Sequence, residues 1–126
     1  MARKLTRKGA IRKLDGLCRE IVHVRDRNSC RKCGLFVGET GGNVHHCIPK
    51  KRGHHVRWAL NNLILFCPKC HFWWHKEPFA IDWFRNDDPD AAEVVSELNQ
   101  QQTQSFKQAD LLEWIDTLEQ VKRGMT

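Results

Sequence analysis

Two Cys-x2-Cys pairs, Cys30/Cys33 and Cys67/Cys70, constrain this 126-residue chain more than any other feature. A four-thiolate centre needs two such tight turns brought face to face, and the 33 residues between Cys33 and Cys67 must therefore double back. Gly34, directly after the first pair, permits the positive φ that lets backbone N–H groups approach thiolates. Four thiolates leave no open coordination position, so Cys30, Cys33, Cys67 and Cys70 are expected to hold structural zinc, not a catalytic ion. The basic start, MARKLTRKGAIRK, leads into no apolar h-region, and paired cysteines in such a chain favour metal over disulfides. That combination points to a reducing, cytosolic compartment.

The length suits one small domain with a helical extension, and a thin core of that kind gains from a metal clamp. No apolar run approaches the ~18 residues that span a bilayer, so no membrane partner is expected. Charge is divided unevenly. Residues 1–76 carry 17 Lys/Arg against 4 Asp/Glu, a net +13, whereas residues 77–126 carry 4 against 11, a net −7. A basic front suggests a polyanionic partner, and an acidic rear suggests a different role for the tail. The chain has no Tyr, which excludes chemistry through a tyrosyl–DNA intermediate.

Residues 1–9 read as a basic flexible arm carrying Arg3, Lys4, Arg7 and Lys8. From about Ala10 to Arg27, Ile11, Leu14, Leu17, Cys18, Ile21 and Val22 recur at helical spacing, with Cys18 and His23 expected in the core. Leu35–Asn43 reads as a turn or short hairpin. Val44–Ile48 reads as a strand stopped by Pro49, Lys50–His55 as a polar loop and Leu63–Phe66 as a second strand. Pro68 suits the first position of a helix running to about Lys76, where Pro78 prevents its continuation. The order is strand, loop, strand, helix. Phe79, Trp83 and Phe84 suggest a short helix packing back on that unit. Asp88 and Pro89 start another helix with Ala91, Ala92, Val94, Val95 and Leu98 on its apolar face. Ser105 and Gln108 make a capping-box pattern for a last helix lined by Leu111, Leu112, Ile115 and Leu118. That stripe reads first as core and second as a homodimer surface.

A second metal site is expected in the same region. His71 and His75 are four apart on one short helix and share a face. Two imidazoles at that spacing can grip one cation, and His45 on the preceding strand supplies a third ligand. Side chains alternate along a strand, so His45 and His46 cannot both reach the ion. One is a ligand and the other is free to act as a general base. His54 and His55, in the basic loop, are expected to contact DNA or solvent, and Trp58, Trp73 and Trp74 to line the core or a groove.

Residues 28–76 resemble the HNH, or ββα-metal, endonucleases through Val44-His45-His46-Cys47-Ile48-Pro49, Asn62-Leu63, Cys67-Pro-Lys-Cys70-His71 and His75. The resemblance implies an α+β fold: a small ββα-metal (His-Me finger) core with an N-terminal helix, a four-cysteine zinc knuckle and a C-terminal helical extension. It divides the chain into a basic arm at 1–9, a nuclease domain with its zinc clamp at 10–78, and an acidic helical extension at 79–126. It implies His46 as general base, His45 in a ligand position often filled by Asp, and His71 and His75 as the paired helix ligands. Asn62 binds metal in some members and braces the base-bearing loop in others. With His at position 45 the site is softer, and Mg²⁺, Mn²⁺, Ni²⁺ and Zn²⁺ all remain candidates.

Over most of the chain from about Leu14, the overall pattern is also similar to the lambdoid-phage NinG (Rap) recombination nucleases. That likeness implies a bacterial or phage-infected host cytosol and branched recombination intermediates as substrate. The expected activity is metal-dependent hydrolysis of DNA, duplex or branched, by nicking to 5′-phosphate and 3′-hydroxyl ends. Lys50, Lys51, Arg52, Arg57, Arg3, Lys4, Arg7 and Lys8 are the candidate phosphate contacts, which set affinity but not sequence choice. The competing reading is a non-catalytic, zinc-stabilised DNA-binding module. Retention of His45, His46, Asn62, His71 and His75 together argues against it.

Overall fold

The computed structural model describes residues 5–125. The elements run α1 (Arg7–Arg25), β1 (Asn43–His46), α2 (His54–Arg57), β2 (Leu63–Phe66), α3 (Pro68–Lys76), α4 (Ala80–Asp87), α5 (Pro89–Gln100) and α6 (Gln108–Gly124). Single 3-10 turns lie at Lys50–Arg52 and Leu60–Asn62. This is the expected small α+β architecture, a ββα unit flanked by helices from both directions along the chain. No helix among the described residues is long and apolar enough to cross a membrane.

The hairpin is the middle of the molecule. β1 and β2 pair antiparallel in the register Asn43–Phe66, Val44–Leu65, His45–Ile64 and His46–Leu63. All four β2 residues are at most 1% exposed, because the strand is covered on both faces. Alternation then sorts them. Leu63 and Leu65 enter one apolar cluster with Leu14, Leu17, Cys18, Ile21 and Val22 of α1 and Leu111, Ile115 and Leu118 of α6. Ile64 and Phe66 enter a second with Ile48, Val56, Phe84, Ala91, Ala92, Val95 and the paired cysteines Cys30, Cys67 and Cys70. Cross-strand partners share a face. Val44 and His46 therefore sit on the α1 side of the hairpin, and His45 on the α3 side.

Several boundaries differ from the sequence reading, each for a local reason. Arg3 and Lys4 lie outside the described residues. Arg7 and Lys8 are not in an arm but in the first turn of α1, which starts early because Thr6 Oγ1 accepts the Gly9 N–H at 3.0 Å. The polar loop contains α2, and His55 within it is buried. The box that starts α6 sits two residues later than expected. Asp110 Oδ2 accepts the N–H of Lys107 at 3.1 Å, while Ser105 Oγ instead accepts from Arg7 Nη2 at 3.2 Å. The apolar stripe of α6 packs on α1, so the face offered for self-association is already covered within the chain.

The C-terminal end of α1 is closed by residues that also hold the hairpin. Arg27 and Asn28 take positive φ values of 57° and 54°, and buried His23 pairs through Nδ1 with Asn28 Oδ1 at 3.0 Å. Arg25 donates to the carbonyls of Leu60 and Leu63 at 2.9 and 2.6 Å. Asp26 accepts the Leu65 N–H at 3.1 Å. Asp26 also lies 3.8 Å from Arg31, which pairs in turn with Asp87 at 2.8 Å. A polar chain thus links α1, the first cysteine turn and the end of α4.

Candidate metal centres and active-site cleft

The four-cysteine centre joins two turns. One ligand atom from each of Cys30, Cys33, Cys67 and Cys70 lies within 4.8 Å of the others, and Sγ of Cys33 is 3.7 Å from Sγ of Cys67. Gly34 takes φ +79° at the first turn. At the second, Cys67 caps α3 and its sulfur accepts the Cys70 N–H at 3.4 Å. Burial raises the Cys30 thiol, but hydrogen bonds from the Cys33, Cys67 and Lys32 backbone outweigh it and bring it down to about 7. These are donor sulfurs with backbone N–H groups turned toward them, which fits a tetrahedral zinc. Cys18 and Cys47 stand apart, each pushed up to about 12 chiefly by burial.

The second cluster is His45, His71 and His75, again with one nitrogen from each within 4.8 Å of the others. His71 and His75 project from successive turns of α3, their Nε2 atoms 3.2 Å apart. His45 meets them from β1, its ring 5.1 Å from His71 and 5.5 Å from His75, stacked on Phe66 and tilted against Trp74. His45 is 3% exposed, and its Nε2 has no hydrogen-bond partner. A buried imidazole nitrogen without a partner costs free energy unless something accepts its lone pair. Burial, then the neighbouring His71 and His75, lower its pKa to about 3, so the ring is neutral and its lone pair is available. Three imidazole donors with solvent on the α3 side fit a divalent transition metal with open positions.

His46 points the other way. Its Nε2 lies 3.1 Å from the carbonyl oxygen of Arg57. A carbonyl can only accept, so Nε2 carries the hydrogen and Nδ1 of the neutral ring holds the lone pair. Burial lowers its pKa and the bond to Arg57 opposes this, with a net lowering that keeps the ring neutral at pH 7. His46 and His71 both line a cleft of about 320 Å³ whose other walls include Asp15, Arg19, Lys50 and Arg57. The two histidines of β1 therefore serve opposite faces of the hairpin, and α3 brings the faces together at its edge.

Asn62 is fully buried and its amide makes three hydrogen bonds to backbone. Oδ1 accepts the Ile48 N–H at 2.7 Å, and Nδ2 donates to the carbonyls of Ile48 and Val56 at 3.0 Å each. That arrangement braces the segment after β1.

The basic candidates divide. Lys50 lines the cleft and Lys51 is exposed. Arg52 turns inward, donating to Thr103 Oγ1 at 2.6 Å and to the carbonyls of Gln101 and Asn99 at 2.7 and 3.3 Å. Arg57 is paired with Asp15 at 2.7 Å. His54 is half-buried, its Nδ1 accepting the Phe106 N–H at 2.9 Å, and His55 is buried against Gly53. Trp58 is core, whereas Trp73 lies under Lys32 and against Trp83. Sequence reasoning missed Asp15, whereas Arg19, read from the sequence as facing solvent or DNA, does line the cleft. Arg19 also donates to the Thr40 carbonyl at 2.6 Å, and Asp15 carries no local signal because its partner Arg57 is distant in the chain.

No curated protein and no solved structure matched the chain in the comparisons made. Residues 30–77, from the first cysteine of the four-cysteine cluster to just past His75, match the family model described as HNH endonuclease.

Proposed function

We propose that the chain is a metal-dependent DNA endonuclease that hydrolyses one phosphodiester bond per encounter. The match to the HNH endonuclease family implies nuclease activity. The observation that carries the finer reading is the division of labour on β1. His45 joins His71 and His75 around a space fit for one cation, while His46 stands in the adjoining cleft with Nε2 occupied and Nδ1 free.

In this reading His45, His71 and His75 hold one divalent ion. When bound, that ion supplies Lewis-acid stabilisation of charge on the attacked phosphate and the departing 3′-oxygen. His46 Nδ1 accepts the proton of a water molecule that attacks phosphorus in line, and the Arg57 carbonyl stabilises the imidazolium through Nε2–H. Asn62 holds the segment that carries Ile48, and so the spacing between β1 and α2. Lys50 and Arg19 supply positive charge along the cleft wall. Cys30, Cys33, Cys67 and Cys70 hold structural zinc and fix the start of α3. The wider sequence likeness makes branched recombination intermediates the substrates to try beside plain duplex.

The test is incubation of the zinc-loaded chain with supercoiled plasmid and Mg²⁺, Mn²⁺, Ni²⁺ or Zn²⁺, with and without chelator. Four-way-junction and D-loop DNA run in parallel. Metal-dependent nicking that disappears in His46→Ala supports the proposal. Retarded bands without cleavage would instead favour a zinc-stabilised DNA-binding module.

A further inference from the structure

Asp15 belongs to α1, outside the residues that match the HNH family. Its carboxylate lines the cleft beside His46 and takes three hydrogen bonds from the other wall. Oδ1 accepts from Arg57 Nε at 3.0 Å and from Trp58 Nε1 at 2.8 Å, and Oδ2 accepts from Arg57 Nη2 at 2.7 Å. A bidentate guanidinium–carboxylate pair is both strong and directional. Arg57 is thus gripped by its side chain while its main-chain oxygen, 3.1 Å away, is the partner of His46 Nε2. Trp58, 1% exposed, anchors the same carboxylate from the core side.

We propose that Asp15 is a positioning residue for His46. It fixes Arg57, and the Arg57 carbonyl in turn sets the Nε2–H tautomer and the aim of the ring, so that α1 is part of the reaction site. The inference rests on the reading of His46 as general base. Charge gives it a distinctive signature. Asp15 also neutralises the Arg57 guanidinium where that group borders the cleft, so removing the carboxylate releases a cation toward the DNA backbone. Turnover should fall while DNA binding holds or tightens. A general loosening of the fold would weaken both.

The experiment uses the full zinc-loaded chain with Asp15→Ala and Asp15→Asn, read by steady-state nicking and by ¹⁵N NMR of labelled histidine. In Asp15→Ala, kcat should fall about ten- to a hundredfold, as for other residues that orient an imidazole. KM should stay level or drop, and His46 should shift from the Nε2–H form to a mixture of tautomers. Asp15→Asn keeps one acceptor for Trp58 and Arg57, should fall between, and stands in if the alanine variant does not fold. Wild-type kcat with His46 still wholly Nε2–H overturns the proposal, as does a loss of turnover with that tautomer intact. If the wild-type chain does not nick DNA, the tautomer alone decides the Asp15 link. A mixed tautomer at full turnover would overturn the assignment of His46 on which the inference depends.

Discussion

Asn62 meets both main-chain hydrogen-bonding groups of Ile48, accepting its N–H at 2.7 Å and donating to its carbonyl at 3.0 Å. One buried amide thereby imitates a strand partner for the chain leaving β1, while its second hydrogen ties in Val56. Replacing it by alanine strands a donor and two acceptors away from water. We predict that Asn62→Ala destabilises the fold by about 3 kcal/mol. The check is urea denaturation at fixed zinc. The same variant should bind a divalent ion at the histidine cluster as tightly as wild type, because the Asn62 amide is engaged by the main chain of Ile48 and Val56. Loss of that ion with an unaltered denaturation midpoint would reverse the assignment.

The histidines of β1 should separate by experiment. His46→Ala is predicted to lower the nicking rate by about 10²- to 10⁴-fold while leaving metal affinity near wild type. His45→Ala should weaken Mn²⁺ or Ni²⁺ binding, because it removes one of three ligands, and lose activity as a consequence. Calorimetric metal titration of both variants distinguishes the roles; equal metal affinities would remove His45 from the ligand set.

For the cysteine centre we predict one tightly held zinc per chain, read by elemental analysis. Cys67→Ser should lose it, along with near-ultraviolet circular dichroism, since Cys67 both caps α3 and belongs to the second apolar cluster. A variant that keeps its tertiary signal without zinc would show the centre to be dispensable.

Asp15 should leave a mark on acid stability. Burial pushes its carboxyl up, but hydrogen bonds from Arg57 and Trp58 and the charge of Arg57 more than offset this, and the net pKa is lowered. A carboxylate with a depressed folded-state pKa stabilises the fold above its unfolded value of about 4, and that contribution is lost as pH falls through the folded value. Thermal melts of wild type and Asp15→Asn should therefore differ by a steady amount from pH 6 to about pH 4 and converge as pH falls further, through the folded value. A difference that persists unchanged to the lowest pH at which the chain stays folded would contradict the pairing.

Two neighbouring cations of the basic loop are predicted to behave differently. Arg52→Ala should lower the melting temperature and leave the salt dependence of DNA binding unchanged, because its guanidinium straps the connector between α5 and α6. Lys51→Ala should do the opposite, reducing the slope of log K against log salt by about one. Binding isotherms at four salt concentrations test the pair.

Much of this was legible in the chain because the informative signals are local. Pro68 after a capping cysteine gives α3 its start, and His71 and His75 share a face by simple periodicity. Alternation alone separates His45 from His46. What escaped was either too short or too distant. A four-residue helix such as α2 has no period to detect, and Thr6, read as part of an arm, reveals itself as a cap through its bond to Gly9. The pairing of Asp15 with Arg57 spans 42 residues, and nothing near Asp15 in the sequence distinguishes it from an ordinary solvent-facing acid. Arg52 and Arg57 looked like free cations for the same reason: their partners lie elsewhere along the chain.

The double coverage of β2 has a consequence for how the molecule is made. On one side, Ile64 and Phe66 meet residues up to Val95, so that half can condense while later segments are still being synthesised. On the other, Leu63 and Leu65 must hold their place until Leu111, Ile115 and Leu118 arrive. The wall that carries Asp15 shares its core with α6, so the proposed cleft would be complete only once that helix has docked.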